Sequence, residues 1–390
     1  MMFSSVAAAE KIARKRLPQF LVAYKYQGGG DGWTNRENHR AFTDIGFRRK
    51  AAVPYKGPPE LKTTLLGTDI AMPVIIAPTG MTRLDHPAGD MAMCGAASAE
   101  GIICSVSMFA GHTIEELASK VTGPKWQQLY WSYGRDGAED LMDRASRCGY
   151  KALIVTVDLP WAPSLAFNLP RRNLRSALQF GPQVLARPRW LARFATGLHF
   201  DPANALRPQV GNHEQTMSPS WDDIAWVRQQ WRGPLIIKGI LEGEDARRAV
   251  QAGADAIVVS NHGGQFLDGV PPTIKVLAPI VAAVGKDVSV LFDGGIRQGS
   301  DIAKALALGA RAVLVGRAPL FGLAVAGEEG VRQILRILRS ELQSVLAFLG
   351  CSSVATLDAS YVSVPDLWVT TPSDNTSMAH RPTSVTGSTV

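Results

Sequence analysis

The strongest constraint on the fold is a regular alternation of short apolar runs with longer helical patterns. Eight runs are predicted as buried strands, at residues 73–77, 101–105, 126–131, 153–157, 234–237, 256–259, 289–292 and 312–315. Helical patterns lie between them, at residues 90–100, 113–120, 136–148, 221–230, 243–252, 273–284 and 300–308. Such alternation produces right-handed parallel crossovers, and roughly 240 residues from first to last strand is the usual size of a closed barrel. The sequence therefore predicts an α/β fold, a (β/α)8 TIM barrel.

An open, doubly wound sheet is the alternative for this alternation. Nucleotide-binding sheets of that kind carry a G-x-G-x-x-G motif after the first strand, and this chain has none at that place. We therefore favour the closed barrel.

Four segments fall outside the repeat. Residues 1–60 are predicted as a helical N-terminal extension with a glycine-rich turn at residues 28–30, and residues 327–349 as a closing helix. Residues 161–219, after the fourth strand, are too long for an ordinary connection and predict either a mobile lid or an interaction surface. Residues 372–390 are rich in Ser, Thr and Pro and predict a disordered tail, which leaves residues 1–371 as one barrel domain.

The composition narrows the compartment and the classes of partner. The four cysteines show no C-x-x-C spacing, which disfavours a zinc site or a disulfide framework and is typical of a cytoplasmic protein. We expect no metal. No apolar segment long enough for a secretory signal or a spanning helix follows the basic N-terminus. The net charge is +7, but the lysines and arginines are dispersed among 34 acidic residues. No motif supports nucleic-acid binding.

One stretch of the long connection, residues 181–200, has an amphipathic pattern. Its apolar side and the two adjoining arginines comprise Trp190, Leu191, Phe194, Leu198, Arg189 and Arg193. This pattern suits a helix packed on the barrel, which we favour, or a helix on the inner face of a membrane.

Polar residues and glycines follow the predicted strands where each one ends. They are Asp158, Lys238, His262-Gly263-Gly264, Asp293-Gly294-Gly295 and Gly316-Arg317. The carboxyl ends of barrel strands surround the active site in enzymes of this fold. The sequence therefore predicts one active site formed by these strand ends.

The glycines and arginines after the last two strands suggest a phosphate site. Backbone N–H groups and a helix N-terminus would hold the anion, while Arg297 and Arg317 neutralise it. Each Gly-Arg pair alone fits an ordinary turn, but both together favour a phosphorylated cofactor. His262 is then a candidate base oriented by Asp158, or else a structural histidine. Lys238, after an apolar strand, suits a site where negative charge develops, or else a salt bridge at the barrel rim.

Many of these motifs occur together in one known family. They are Tyr24, Trp33-Thr34, Ala77-Pro78-Thr79-Gly80, Gln128-Leu129-Tyr130, Thr156-Val157-Asp158, Ile237-Lys238-Gly239, Ser260-Asn261-His262-Gly263-Gly264, Asp293-Gly294-Gly295-Ile296-Arg297, Leu306-Ala307-Leu308-Gly309-Ala310 and Gly316-Arg317. Across about residues 8–365, the chain resembles the FMN-dependent α-hydroxy-acid oxidases and dehydrogenases, which include glycolate oxidase, L-lactate dehydrogenase and mandelate dehydrogenase.

The resemblance implies FMN as cofactor and a role for each matched residue. The cofactor-binding set would be Pro78, Thr79, Gly80, Ser107, Gln128, Thr156, Lys238 and Ser260 around the ring, Asp293 at the ribityl chain, and Gly294, Gly295, Arg297, Gly316 and Arg317 towards the phosphate. The catalytic set would be His262, Asp158, Tyr130 and Lys238, with Tyr24 and Tyr130 touching the substrate. The resemblance also implies a homo-oligomer, a tetramer.

Two departures from the family concern the contacts to a substrate carboxylate. The family's arginine three residues after the histidine is Gln265 here, so a bidentate charged contact is missing. The family's second arginine for the substrate carboxylate normally lies seven residues after the aspartate, where this chain has Leu165. If the loop carries an insertion of about seven residues, Arg172 takes that place instead. Both alignments, with Leu165 or with Arg172, stay open.

The sequence thus predicts an FMN enzyme that oxidises a 2-hydroxy acid, lactate-like or mandelate-like but bulkier, to the 2-oxo acid. In lacking an arginine at position 265, the chain is also similar to premycofactocin synthase, a relative that oxidatively deaminates a peptide-derived lactam. A flavin-binding protein without turnover is the remaining alternative, and the candidate catalytic residues argue against it. Besides the small-molecule substrate, the partner would be an electron acceptor: O2, a quinone or a redox protein.

Overall fold

The computed structural model describes residues 2–160, 174–196, 218–365 and 368, and it confirms the predicted barrel. The strands are β1 (Gly46–Phe47), β2 (Thr63–Leu65), β3 (Thr68–Ile70), β4 (Val74–Ile76), β5 (Ile103–Val106), β6 (Lys125–Leu129), β7 (Ala152–Thr156), β8 (Leu235–Ile240), β9 (Ala256–Val259), β10 (Ser289–Asp293), β11 (Ala312–Val315) and β12 (Val362–Ser363). Strands β4 to β11 pair in parallel with their sequence neighbours, and β11 pairs with β4 to close the barrel.

Helices cover the outside of the barrel. They are α1 (Val6–Arg16), α2 (Gln19–Val22), α3 (Trp33–Arg40), α4 (Gly89–Ala99), α5 (Ile114–Lys120), α6 (Gly134–Arg147), α7 (Leu174–Leu185), α8 (Pro188–Thr196), α9 (Trp221–Gln230), α10 (Gly243–Gln251), α11 (Thr273–Val284), α12 (Gly299–Ala307) and α13 (Arg317–Leu349). The predicted strands and repeat helices match these bounds closely. The largest difference is three residues, at the end of β8, which was expected at 237 and lies at 240.

The barrel strands are buried on both faces, which explains their continuous apolar runs. One side-chain set fills the barrel, with Trp126, Ile236 and Leu291 among its members, and the other packs against the helices. The antiparallel hairpin of β2 and β3 adds Leu65 and Ile70 to the inner set. This hairpin precedes β4 and so covers the amino-terminal end of the barrel, which leaves the carboxyl end for a ligand.

The N-terminal extension is helical only in its first part. Helices α1 to α3 and a short 3-10 turn end at Asp44, and the chain from there to β2 is largely without helix. The expectation of a helical lead-in to residue 60 was therefore too long. After α2 the chain forms one π-helical turn, Ala23–Gln27, which carries Tyr24. Irregular turns of this type often occur at functional sites.

The closing helix begins earlier than predicted. It starts at Arg317, directly after β11, and a kink at Ala326 and Gly327 separates its first turns from the long part that ends at Leu349. The sequence pattern identified only the second part. The first part matters for the site, because its N-terminus points towards the carboxyl end of the barrel.

The long connection after β7 contains two helices, α7 and α8. Trp190 is 9% exposed, and its Nε1 donates to the Leu84 carbonyl at 2.8 Å, while its ring packs edge-on against Phe20. Leu191 also packs against the core. This apolar side therefore covers the barrel, as we favoured. Phe194 lies in α8 without a described side chain, and Leu198, Leu165, Arg172 and the tail 372–390 lie outside the described residues.

Candidate active site

A cavity of about 1160 Å³, including its open mouth, lies at the carboxyl ends of the barrel strands. The predicted residues that line it are Tyr24, Thr79, Gly80, Tyr130, Lys238, His262, Gln265, Asp293, Gly294, Gly295, Arg297, Gly316 and Arg317. Pro78 is half-buried between two lining residues. The residues predicted at the strand ends therefore line one cavity, and the fold brings Tyr24 and Lys25 of the N-terminal extension into it as well.

His262 lies between a carboxylate and a phenol. Its Nδ1 is 3.0 Å from Asp158 Oδ1, and its Nε2 is 3.3 Å from the Tyr130 hydroxyl. Asp158 follows β7 and Tyr130 follows β6, so three strand ends supply this group. Because an ionised carboxylate only accepts hydrogen bonds, Nδ1 carries a hydrogen and donates it to Asp158, while Nε2 faces the Tyr130 hydroxyl.

The ionisation of Asp158 supports this assignment. Burial alone would raise its pKa, but the charges of His262 and Lys238 and the hydrogen bond from His262 outweigh that cost, so the pKa is lowered. Burial raises the pKa of Tyr130 far above its usual value, and the charge of Asp158 adds to the effect. Tyr130 therefore stays a neutral hydrogen-bond donor in this site.

Lys238 is buried at the centre of a polar layer. Its Nζ donates to Ser260 Oγ at 2.9 Å and lies 3.4 Å from Asp293 Oδ2. Burial would lower the lysine pKa, but Asp293 and Asp158 outweigh it and raise the pKa. Lys238 is thus a permanent buried cation. Asp293 Oδ1 is buried and has no hydrogen-bond partner in the structure, so one strong acceptor remains for a bound molecule.

Three further polar side chains from β5, β6 and β7 extend this layer. Gln128 Nε2 donates to the Thr156 hydroxyl at 3.1 Å, and Gln128 Oε1 lies 3.3 Å from the Ser107 hydroxyl. All three residues are buried. A layer with both donors and acceptors suits a flat heteroaromatic ring that carries carbonyl and ring-nitrogen groups.

The cavity also has a positively charged end, where Arg297 and Arg317 lie next to Gly295 and Gly316. The pKa of both Arg297 and Arg317 is lowered to about 10, chiefly by burial and, for Arg317, also by the charge of Arg297. Their hydrogen bonds within the described residues go to uncharged oxygens. Two partly buried guanidinium groups beside the N-terminus of α13 offer positive charge and N–H donors to an anion.

His39 is a functional candidate that the sequence reasoning missed. Its Nδ1 lies 2.9 Å from the carbonyl oxygen of Gly295, in the loop after β10. Burial lowers its pKa to about 4, and the neighbouring charge of Arg297 acts in the same direction. His39 is therefore neutral at pH 7 and holds the glycine loop by a donated hydrogen bond. No sequence signal marks it, because it comes from α3, distant in the chain.

The part of the cavity near His262 is mainly apolar. Phe266 packs edge-on against His262 with ring centres 4.8 Å apart, and Phe109 lies 5.3 Å from Tyr130. Met81 and Leu159 complete this wall, and only Phe266 among these four was considered from the sequence. Arg172 lies outside the described residues. The side chain of Gln265 bonds to Arg317 Nη2 at 2.8 Å and to the Tyr24 carbonyl.

Known proteins resemble this chain over almost its whole length. A family model described as FMN-dependent dehydrogenase matches residues 13–364. Pre-mycofactocin synthase of Mycobacterium tuberculosis is 40% identical over 380 residues, which cover 93% of this chain and 95% of that protein. Glycolate oxidase of Spinacia oleracea is 39% identical over 372 residues, covering 93% and 96%.

A solved structure agrees with these sequence matches. The crystal structure of the monotopic membrane protein (S)-mandelate dehydrogenase has a TM-score of 0.86 at 33% identity, covering 93% of this chain and all of that chain. Both the sequence and the three-dimensional comparisons therefore lead to the same assignment. The chain belongs to the FMN-dependent dehydrogenase family, and it is an FMN-containing oxidoreductase of the hydroxy-acid oxidase type.

Proposed function

We propose that this protein oxidises a bulky 2-hydroxy acid to the 2-oxo acid, with His262 as the base. The observation that carries the proposal is the group formed by His262, Asp158 and Tyr130 at the wall of the cofactor cavity. A neutral imidazole that a carboxylate orients is a suitable general base near pH 7. An enzyme is favoured over a binding protein without turnover, because such a binding protein has no need for this arrangement.

The cavity and the buried polar layer beside it fit FMN in size and chemistry. Ser107, Gln128, Thr156, Lys238 and Ser260, with the segment Pro78–Thr79–Gly80, would hold the ring, since they supply buried donors and acceptors. The unpartnered Asp293 Oδ1 would accept from the ribityl hydroxyls. Arg297 and Arg317, with the backbone of Gly294, Gly295 and Gly316, would hold the phosphate. Bound FMN supplies the two-electron acceptor, so the protein is left with binding, orientation and proton transfer.

Residues of the chain would transfer the proton, orient the substrate and stabilise developing charge. His262 Nε2 accepts a proton from the substrate, and Asp158 stabilises the resulting imidazolium through Nδ1. The Tyr130 and Tyr24 hydroxyls donate hydrogen bonds to substrate oxygens, since burial keeps both phenols neutral and raises the pKa of Tyr24 to about 12. Lys238 stabilises negative charge that develops at the ring.

The apolar wall suggests that the substrate is larger than lactate. Phe109, Phe266, Met81 and Leu159 offer apolar contact beside the base. Arg172 is our candidate for the contact with the substrate carboxylate, because Gln265 cannot form a charged pair.

An amine or lactam carbon is the second candidate substrate. One observation favours it: the family's arginine is replaced by Gln265, which carries no charge for a carboxylate and is hydrogen-bonded to Arg317 and to the Tyr24 carbonyl. A relative named pre-mycofactocin synthase is also 40% identical. Deprotonation by His262 suits a carbon next to nitrogen equally well, so the substrate assay must include both classes.

We propose that electrons leave to O2, a quinone or a redox protein, and that the chain works as a homo-oligomer in the cytoplasm. None of the described helices is both long and apolar enough to cross a membrane. Among the described side chains of residues 181–200, Leu185 is 71% exposed and could contact a membrane surface, whereas Trp190 is buried. A flotation assay with anionic vesicles tests this point.

The function is tested by anaerobic stopped-flow reduction of the bound flavin. Lactate, mandelate, longer 2-hydroxy acids and cyclic amines are compared at equal concentration. We expect the fastest reduction with a 2-hydroxy acid that carries an aromatic or long aliphatic group. Faster reduction by the amines would transfer the assignment to the second candidate, and no reduction by any compound would favour the binding protein.

A further inference from the structure

A buried ion pair lies beside the cavity wall, between the N-terminal extension and the loop after β4. Lys25 Nζ donates to Asp85 Oδ2, and the Tyr26 hydroxyl donates to Asp85 Oδ1 at 2.7 Å. The three residues are 7%, 3% and 1% exposed in the order Lys25, Asp85, Tyr26. The carboxylate therefore has one charged and one neutral donor in a site with almost no access to water.

On the side of the extension, the pair fixes the π-helical turn that carries Tyr24. Lys25 and Tyr26 follow Tyr24 directly in this turn, and both are bonded to Asp85. Burial, together with the charge of Asp85, raises the pKa of Tyr26, so its hydroxyl stays a donor. The Tyr26 ring also packs against Phe321, with ring centres 4.9 Å apart. Two anchored neighbours leave Tyr24, which lines the cavity, little freedom to move.

On the side of the barrel, the same lysine fixes the turn after β4. Lys25 Nζ also donates to the Met81 carbonyl at 2.8 Å. Met81 has a φ of 56°, a left-handed conformation that is strained for a residue other than glycine, and its N–H donates to the Phe109 carbonyl at 2.9 Å. Lys25 thus supports a strained turn directly after Gly80, and Met81 belongs to the apolar wall of the cavity.

A buried ion pair of this kind contributes little to stability. The cost of removing two charges from water is about as large as their attraction, and apolar residues of similar size often replace such a pair without loss of stability. Apolar residues cannot supply direction, however, since charged hydrogen bonds form only over a narrow range of distances and angles. The main effect of the pair is therefore on the position of the two segments that it joins.

We propose that Lys25 and Asp85 are positioning residues that set the shape of the substrate pocket. They hold Tyr24 on one side of the pocket and the turn at Gly80 and Met81 on the other. They act through these neighbours and not by touching the substrate. The effect on substrate binding rests on the proposed function, but the effect on the position of Tyr24 does not.

The test uses variants of the full-length, FMN-loaded protein. Lys25→Met combined with Asp85→Leu removes both charges at similar size, so no unpaired charge stays buried. Lys125→Met is the matched control. Lys125 is also 7% exposed and donates to two carbonyl oxygens, but it begins β6 and so lies at the opposite end of the barrel from the cavity.

The first measurement follows Tyr24 and needs no substrate. The chain has seven tyrosines, and in protein labelled with 3-fluorotyrosine the 19F signal of Tyr24 is assigned from Tyr24→Phe. In the double variant we expect this signal to broaden or to move towards that of Tyr55, which is 69% exposed and is assigned from Tyr55→Phe. In Lys125→Met the Tyr24 signal should keep its wild-type position.

The second measurement is kinetic and uses the best substrate of the stopped-flow panel. We expect KM to rise about 10-fold in the double variant while kcat changes by less than about threefold, because the pair positions groups that bind the substrate and not the base. Asp85→Asn keeps the shape of the side chain and one acceptor. It should change the Tyr24 signal and KM less but in the same direction, and it serves if the double variant does not fold.

The outcomes separate this inference from the function. An unchanged Tyr24 signal in both the double variant and Asp85→Asn overturns the inference. An equal displacement of the signal in Lys125→Met overturns it as well, since loss of any buried lysine would then be sufficient. A fall in kcat with KM unchanged rejects the role in shaping the pocket. Failure of every hydroxy acid and amine to reduce the flavin would instead reject the proposed function, and it would leave the Tyr24 measurement unaffected.

Discussion

At the scale of single residues, the charge states around His262 decide what the site can do. Asp158 stays ionised because the charges of His262 and Lys238 outweigh its burial and lower its pKa. Tyr130 stays protonated because burial raises its pKa. Nδ1 of the imidazole therefore has a fixed acceptor in Asp158, which orients Nε2 towards Tyr130 and the substrate side of the cavity.

The first prediction concerns this base. His262→Gln should retain FMN but slow flavin reduction by about two to four orders of magnitude, the usual contribution of a general base. Stopped-flow reduction with the substrate found in the panel measures it. Asp158→Asn is the companion variant and should also slow the reaction. Reduction of His262→Gln at the wild-type rate would mean that another group takes the proton.

The second prediction concerns the space beside the ring. A Cβ at Gly80 would lie 3.0 Å from the Phe109 Cβ, closer than side chains normally pack, and Phe109 in turn packs against Tyr130. Gly80→Ala should therefore push Phe109 into the apolar part of the cavity. We expect kcat/KM for a bulky hydroxy acid to fall about 10- to 100-fold relative to lactate.

A double variant provides the control for this steric argument. Phe109→Leu combined with Gly80→Ala keeps the close Cβ contact but pushes a smaller side chain than a phenyl ring into the cavity, so it should restore much of the preference for the bulky acid. If Gly80→Ala reduces the efficiency with both acids equally, the Cβ acts on the cofactor and not on the substrate pocket.

The third prediction uses the pH dependence of stability. His39 has a pKa of about 4 when folded and about 6.5 when unfolded, so between these values the unfolded chain binds the extra proton. Stability should therefore fall as the pH falls from 6.5 to 4, by at most about 3 kcal/mol from this group. Urea unfolding of wild type and His39→Gln at several pH values measures it, and parallel pH profiles would contradict it.

At the scale of elements, the closing helix α13 is held by one buried carboxylate. Glu100, at the end of α4, has only 3% of its side chain exposed and accepts from Arg336 and Arg339 at 2.8 Å each. Arg332 approaches it to 3.6 Å. Glu100 thus anchors the long part of α13, while the first turns of α13 contribute Arg317 and Leu320 to the cavity wall.

The fourth prediction follows from this anchor. Glu100→Ala should lower the free energy of unfolding by about 2 to 4 kcal/mol, because it leaves several arginines without their shared acceptor. Glu329→Ala is the matched control, since that carboxylate is 54% exposed, and it should cost less than about 0.5 kcal/mol. Equal losses in the two variants would show that burial of the ion pair is unimportant.

At the scale of the whole molecule, the cavity is bordered by strands from all around the barrel and by the N-terminal extension. A cofactor that bonds to all of them binds the folded state alone and should stabilise it. The fifth prediction is a rise in Tm when FMN is added to flavin-free protein, equivalent to about 2.7 kcal/mol at a concentration 100 times Kd. Riboflavin should produce a smaller rise, and an unchanged Tm would contradict the assignment of the cavity.

The sequence alone determined the barrel and most of the candidate site. Period and run length are local properties, so β4 to β11 and their helices were predicted to within three residues. The strand-end rule then grouped Asp158, Lys238 and His262, because parallel strands of a barrel end at one face. The resemblance to a known family added FMN before any contact was visible.

Only the tertiary structure decided which side chains touch. His39 from α3 reaches the loop after β10, and Asn35 and Gln265 meet on Arg317 across more than two hundred residues of chain. The two arginines look alike in the sequence, yet among the described residues the side chain of Arg317 makes four hydrogen bonds and that of Arg297 makes one. Hydrogen-bond partners and burial depend on the packing of distant segments, and no local pattern encodes them.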